Sequence, residues 1–164
     1  MNTSLNSKQL YHLLDYSLLR LAELDEQTAA AYNDAENTLL AYLFMDQHME
    51  AGGLVYLIAA GNGGYVLDNP LADSLRRWGI KTTPKILDKA RTLYQKHGAE
   101  IERLAEAGED LDSLRRRFND FEELDAEYYE ICEDDFPLVS AYVRDHPQDF
   151  PALLAESAAA KQAT

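Results

Sequence analysis

Residues 119–135 read NDFEELDAEYYEICEDD, a stretch with nine acidic side chains and no basic one. Wound as a helix at about 100° per residue, it places Asp120, Glu123, Glu127, Glu130 and Asp134 inside a wedge of roughly 80°. Phe121, Leu124, Tyr128, Ile131 and Cys132 take a different face, which is the pattern of an amphipathic helix with one sign of charge outside. Like charges at i,i+3 and i,i+4 cost about 0.2–0.5 kcal/mol each, so the stripe gives up roughly 1–2 kcal/mol with no lysine to relieve it. Glu133, Asp134 and Asp135 add negative charge near the expected end of this helix, where the macrodipole is already negative. Local rules broken without visible compensation mark a functional surface.

Helical punctuation recurs on either side of this stretch. Ser7 is placed to cap a helix to about Leu24, and Asp34 to cap one to about Glu50. Asn69-Pro70 and Thr83-Pro84 each read as a cap followed by proline at the first helical position, with helices ended by Gly79 and by Gly98. Asp110 opens a helix to about Phe118, and Pro137 to His146 reads as a separate short one. Leu54 to Ala60 is apolar throughout and fits a buried strand or a buried helix. No run alternates apolar and polar residues over a strand's length, so the expectation is an all-α fold. With no internal repeat or linker, residues 1–164 are expected to form one domain, its Ala-rich tail from Ala152 fraying.

Of the 164 residues, 46% are apolar and five are proline, which argues for a packed core despite a net charge of −14. The longest apolar run, Leu54 to Ala60, is too short to span a membrane, and no basic segment precedes an apolar one at the N-terminus. A cytoplasmic protein is expected. The charge is distributed in blocks: residues 21–75 hold nine acids and no Lys or Arg, residues 76–117 carry +4, and residues 118–164 carry −10. Two acidic blocks flanking a mildly basic one point to a basic partner and argue against nucleic acid as the ligand. The first helix projects Leu10, Tyr11, Leu13, Leu14, Tyr16, Leu18, Leu19, Leu21 and Leu24 in almost every direction, so it is either central to its own fold or part of a twofold interface.

Catalytic and cofactor motifs are lacking. Gly61-Asn62-Gly63-Gly64 does not have the spacing of a dinucleotide or phosphate loop. His12, His48, His97 and His146 are scattered, and Glu109, Asp110 and Asp112 lack the glycine and distal glutamate of a calcium loop. No metal, cofactor or catalytic residue is assigned, and the chain is not expected to be an enzyme. Cys132, the single cysteine, is expected in the core, in an acidic setting that weakens a thiol as nucleophile. Arg115-Arg116-Arg117 is expected to pair with neighbouring carboxylates.

Gly52-Gly53 with Leu54 to Ile58, Gly64-Tyr65, Leu71 to Gly79, Ile86-Leu87 with Ala90, and Phe121-x-x-Leu124-Asp125-x-x-Tyr128-Tyr129 resemble a bacterial all-α domain family, that of a nineteen-kilodalton DNA mimic protein. The resemblance covers about residues 50–142. It departs from the commoner pattern at Leu54-Val55, where many members carry aromatic residues. The resemblance implies a homodimer whose carboxylates imitate the phosphates of duplex DNA, occupy the DNA-binding face of a helix-turn-helix repressor and relieve repression. Duplex DNA carries one charge per about 3.4 Å on each strand, against one per about 5 Å along the acidic helix, so one stripe is too sparse. The expected partner-binding set is therefore Asp120, Glu123, Glu127, Glu130 and Asp134 with Glu23, Asp25, Glu26, Asp34, Glu36, Asp46 and Glu50 of the earlier acidic block, or with a second subunit. The competing readings are an acidic adaptor or inhibitor of a basic protein without DNA mimicry, and a small metal-binding or enzymatic domain.

Overall fold

The computed structural model describes residues 3–162, and every regular element among them is helical. In chain order these are α1 (Ser7–Arg20), α2 (Glu26–Ala29), α3 (Asp34–Ala51), α4 (Leu54–Ala59), α5 (Gly63–Leu67), α6 (Leu71–Arg77), α7 (Thr82–Glu106), α8 (Leu111–Arg117), α9 (Glu122–Asp145) and α10 (Pro151–Gln162). Two compact units divide the chain: described residues up to Phe44 with those from Phe136 onward, and residues 45–135. Leu54 to Ala59 is thus a helix, and its apolar character follows from the burial of Leu54, Val55, Leu57 and Ile58.

In the first unit α1 packs against α10 and buries Leu13 and Ser17. Its cap is Asn6, one residue before the expected Ser7, and a reciprocal bond pair with Gln9 satisfies both backbone donors. The cap of α3 also moves one residue back, from Asp34 to Asn33, whose side chain accepts the Glu36 N–H at 2.8 Å. Glu36 is 1% exposed. One of its oxygens accepts the Asn33 N–H at 3.1 Å and the other the Leu153 N–H at 2.8 Å, so one carboxylate caps the starts of both α3 and α10. The tail from Ala152 is helical as far as Gln162: Leu153 is buried, and Glu156 Oε1 accepts the Tyr16 and Tyr32 hydroxyls at 2.8 and 2.7 Å. Burial and this bond push the Tyr16 hydroxyl up to about 12. Residues 163 and 164 of that tail lie outside the described residues.

In the second unit α7 is the spine against which α4, α5, α6 and α8 pack. It does not stop at Gly98 but runs on to Glu106. A Cβ on Gly98 would stand 2.5 Å from the Tyr94 ring, as would one on Gly63, so Gly98 makes room for an aromatic ring. The terminating role falls to Gly108, at φ 93°.

The acidic helix also departs from expectation at its end. Pro137 lies inside α9, and the predicted short helix from 137 to 146 is continuous with the acidic one. A proline forfeits one backbone bond, but buried Tyr128 and Asp135 before it and buried Val139 and Val143 after it keep both flanks packed. Asp135 therefore lies in the interior of α9, away from its negative end; its Oδ2 accepts the Thr83 N–H at 2.9 Å and the Thr83 hydroxyl at 2.6 Å, capping the start of α7.

Asp125 does the same for α4, accepting the Leu54 N–H at 3.0 Å beside Gly53, which sits at φ 89° and ψ −170°. Burial, the largest cause, pushes the Asp125 carboxyl up from its ordinary 3.8, while the Leu54 N–H and Arg115 pull it down. A raised carboxyl pKa in the folded chain means that the folded state holds the proton more tightly, so this group's contribution to stability falls as pH rises from 3.8 through the raised folded value. Asp125→Asn should flatten that part of the curve of urea midpoint against pH. Parallel curves for the two proteins would show that Asp125 is not the group responsible.

Candidate partner-binding surface

The surface is built on the outer face of α9. Glu123, Glu130 and Asp134 are exposed and Glu127 half-buried, at the i,i+4 and i,i+3 spacings of one helical stripe. Asp120 precedes the helix in the single turn Asn119–Phe121 and stands 3.2 Å from His97 Nε2 on α7. Across from the stripe, Lys89 Nζ lies 3.9 Å from Glu127. Lys89, Thr92, Leu93, Asp120, Glu123, Leu124 and Glu127 line a shallow groove of about 350 Å³ between α7 and α9. Among the described residues, Glu123, Glu130 and Asp134 have no basic partner. The opposite face of α9 buries Leu124, Asp125, Tyr128 and Asp135, which fixes the direction in which the stripe points.

The earlier acidic block divides. Glu23, Asp25, Glu26 and Asp34 are exposed residues of the first unit. Glu23 is 2.5 Å from Arg20, and Asp25 caps α2 by accepting the Thr28 N–H at 2.7 Å, a bond that holds its carboxyl below the usual range. Glu36, expected on the surface, is internal and its oxygens are engaged as described. Asp46 and Glu50, at the end of α3, belong to the unit that carries the stripe, but they meet α9 on a different flank. There Asp46 accepts the Tyr128 hydroxyl, the Met49 carbonyl accepts the Tyr129 hydroxyl, and both residues line a pocket with Cys132.

Cys132 is a free thiol lining this pocket and is half-buried, not a core residue; desolvation and then the charges of Asp46 and Glu133 push its thiol up. Arg117 pairs at 3.9 Å with both Glu100 and Glu109 and lies over the Phe118 ring, whereas Arg116 donates to the Ser113 hydroxyl at 3.4 Å and the charge of Arg115 acts on Asp125 and Tyr129 of α9. Sequence reasoning missed Lys89 and His97 facing the stripe, and Tyr129 beside Glu50. The adjacent tyrosines and the i,i+4 spacing of Asp46 and Glu50 are the signals for the second group. No described helix is long and apolar enough to cross a membrane, and no group of three or more metal-ligating side chains occurs among the described residues.

A family model described as DMP19-like protein matches residues 30–146, which include the whole stripe, Asp46 and Glu50. The DNA mimic protein DMP19 of Neisseria meningitidis serogroup B (strain ATCC BAA-335 / MC58) is 45% identical over 144 residues, covering 88% of this chain and 87% of that protein.

Proposed function

This chain belongs to the DMP19-like protein family, and from that premise we propose that it is a DNA mimic whose acidic face occupies the DNA-binding surface of a helix-turn-helix transcriptional repressor. By excluding operator DNA it would relieve repression. The observation that carries the reading is the row Glu123, Glu127, Glu130 and Asp134 on one helix, three of the four without a basic partner among the described residues. DNA-binding faces select positioned negative charge, because most of their contacts go to phosphate oxygens. One row is sparser than a phosphate strand, and a homodimer supplies a second row with the twofold symmetry of a dimeric repressor. Tyr11 and Leu19, 66% and 69% exposed on α1, support such an interface.

The test replaces Glu123, Glu127 and Glu130 together with glutamine, which keeps volume and helix propensity. Relief of like-charge repulsion should leave unfolding free energy level or raise it by up to about 1 kcal/mol. Displacement of operator DNA from the repressor should weaken roughly ten- to hundredfold, as three charge contacts of about 0.5–1 kcal/mol each are removed. Light scattering on the same samples should give the mass of a dimer for both proteins. A wild-type chain that binds the repressor together with its DNA is an acidic adaptor and ends the mimic reading; a stable triple variant that still displaces DNA moves the binding face off the stripe.

A further inference from the structure

The pocket lined by Asp46, Glu50, Tyr128, Tyr129 and Cys132 has a volume of about 460 Å³, and it faces away from the acidic stripe. On α9, Tyr129 lies roughly 140° around the axis from the middle of the stripe. We propose that this pocket is a seat for an arginine side chain of a protein partner, a second recognition site separate from the stripe. It does not rest on the DNA-mimic reading.

The lining selects its occupant by hydrogen-bond polarity. The Tyr128 hydroxyl donates to Asp46 and the Tyr129 hydroxyl to the Met49 carbonyl, so neither phenol has its proton left to offer. What remains to face a ligand is carboxylate oxygens, phenol lone pairs and a thiol. Anions find no basic group in the lining itself; Arg115 lies near enough to act on the Tyr129 hydroxyl, which burial and then Asp125 push up and Arg115 pulls down. An apolar occupant would strip water from two carboxylates and return nothing for it. The occupant must therefore be a cation with several donors and no acceptor, and it must lie against an aromatic face, because Tyr129 is 46% exposed with its hydroxyl tied down.

Guanidinium meets each requirement: it stacks flat on an aromatic ring and sends N–H donors outward in its own plane. Asp46 and Glu50, at i,i+4 on α3, stand on one helix face to receive them. Glu50 is exposed and has no ion pair or hydrogen bond among the described residues. Lysine is the poorer fit, since a compact, strongly hydrated ammonium gains less from a ring face. Burial is the largest cause of the raised Cys132 thiol, and the charges of Asp46 and Glu133 add to it, as a negative field at this place would.

The experiment titrates acetyl-Gly-Arg-Gly-amide into the full-length chain at low salt and follows backbone amide shifts by NMR. No DNA or repressor is present, so the result is independent of the mimic reading. Saturable shifts should gather at Glu50, Tyr129 and Cys132 and be absent at Glu123 and Glu130. The same peptide with lysine should bind about fivefold more weakly, and one with citrulline, the neutral isostere, should not saturate. Glu50→Gln and Tyr129→Leu should each weaken the arginine peptide about three- to tenfold, and Tyr129→Phe, which keeps the ring, should bind as the native chain does. If Tyr129→Leu fails to fold, Glu50→Gln decides, because Glu50 is exposed. Equal binding of arginine and lysine peptides, shifts spread along the stripe, or an unchanged Glu50→Gln titration would each overturn the assignment.

Discussion

Gly53→Ala should destabilise the protein by about 2–5 kcal/mol, the sum of a backbone conformation open essentially to glycine alone and a lost helix cap. At φ 89° and ψ −170° the added Cβ would stand 2.5 Å from Asp125 Oδ2. The carboxylate would have to leave, taking with it the acceptor for the Leu54 N–H. Space and strain can be separated by a control. Gly61, at φ 86°, has nothing within 4 Å of its notional Cβ, so Gly61→Ala should cost only the strain, roughly 1–2 kcal/mol. Urea unfolding of both variants checks this. Equal losses at the two glycines would mean that Asp125 is not held against Gly53.

Glu36→Ala should cost about 2–4 kcal/mol, because one truncation removes the reciprocal half of the α3 cap, uncaps α10 and leaves the buried Leu153 N–H without a partner. Its side chain is 1% exposed and accepts from Asn33 and Leu153, at the starts of α3 and α10. Glu36→Gln retains one acceptor oxygen and should fall between the two. Hydrogen exchange gives the sharper readout: the Leu153 amide should lose protection in both variants, by more than amides in the middle of α1. Unchanged protection at Leu153 would refute the shared cap.

The helical class was legible because amphipathic periodicity and capping residues are local signals, and the Asp110 cap falls where its sequence places it. Errors arose where tertiary contacts overrode local punctuation. Gly98 reads as a stop but makes room for the Tyr94 ring one turn earlier on α7, a ring that also packs on Gly63 of α5, and Pro137 reads as a start but is carried within α9 by packing on both sides. The tail beyond Ala152 reads as loose because Glu156 acts through Tyr16 and Tyr32, far away in sequence. The stripe was readable from spacing. That Glu36 is spent inside the fold was not, because capping across the chain leaves no periodic trace. For Asp135 a trace existed: on the helical wheel it falls within the apolar face, about 20° from Tyr128.

Five of the nine acids between Asn119 and Asp135 stand at two extremes. Asp125 and Asp135 hold the starts of α4 and α7, while Glu123, Glu130 and Asp134 hold nothing within the described chain. Fold and charge pattern are written in the same helix but in separate residues, so substitutions on the outer row are nearly free of folding cost. The outer face can accordingly be redrawn, charge by charge, to suit a differently spaced partner while the scaffold stays fixed. On the proposed reading of this row as the binding face, such a chain could track changes in its partner without first having to survive a loss of structure.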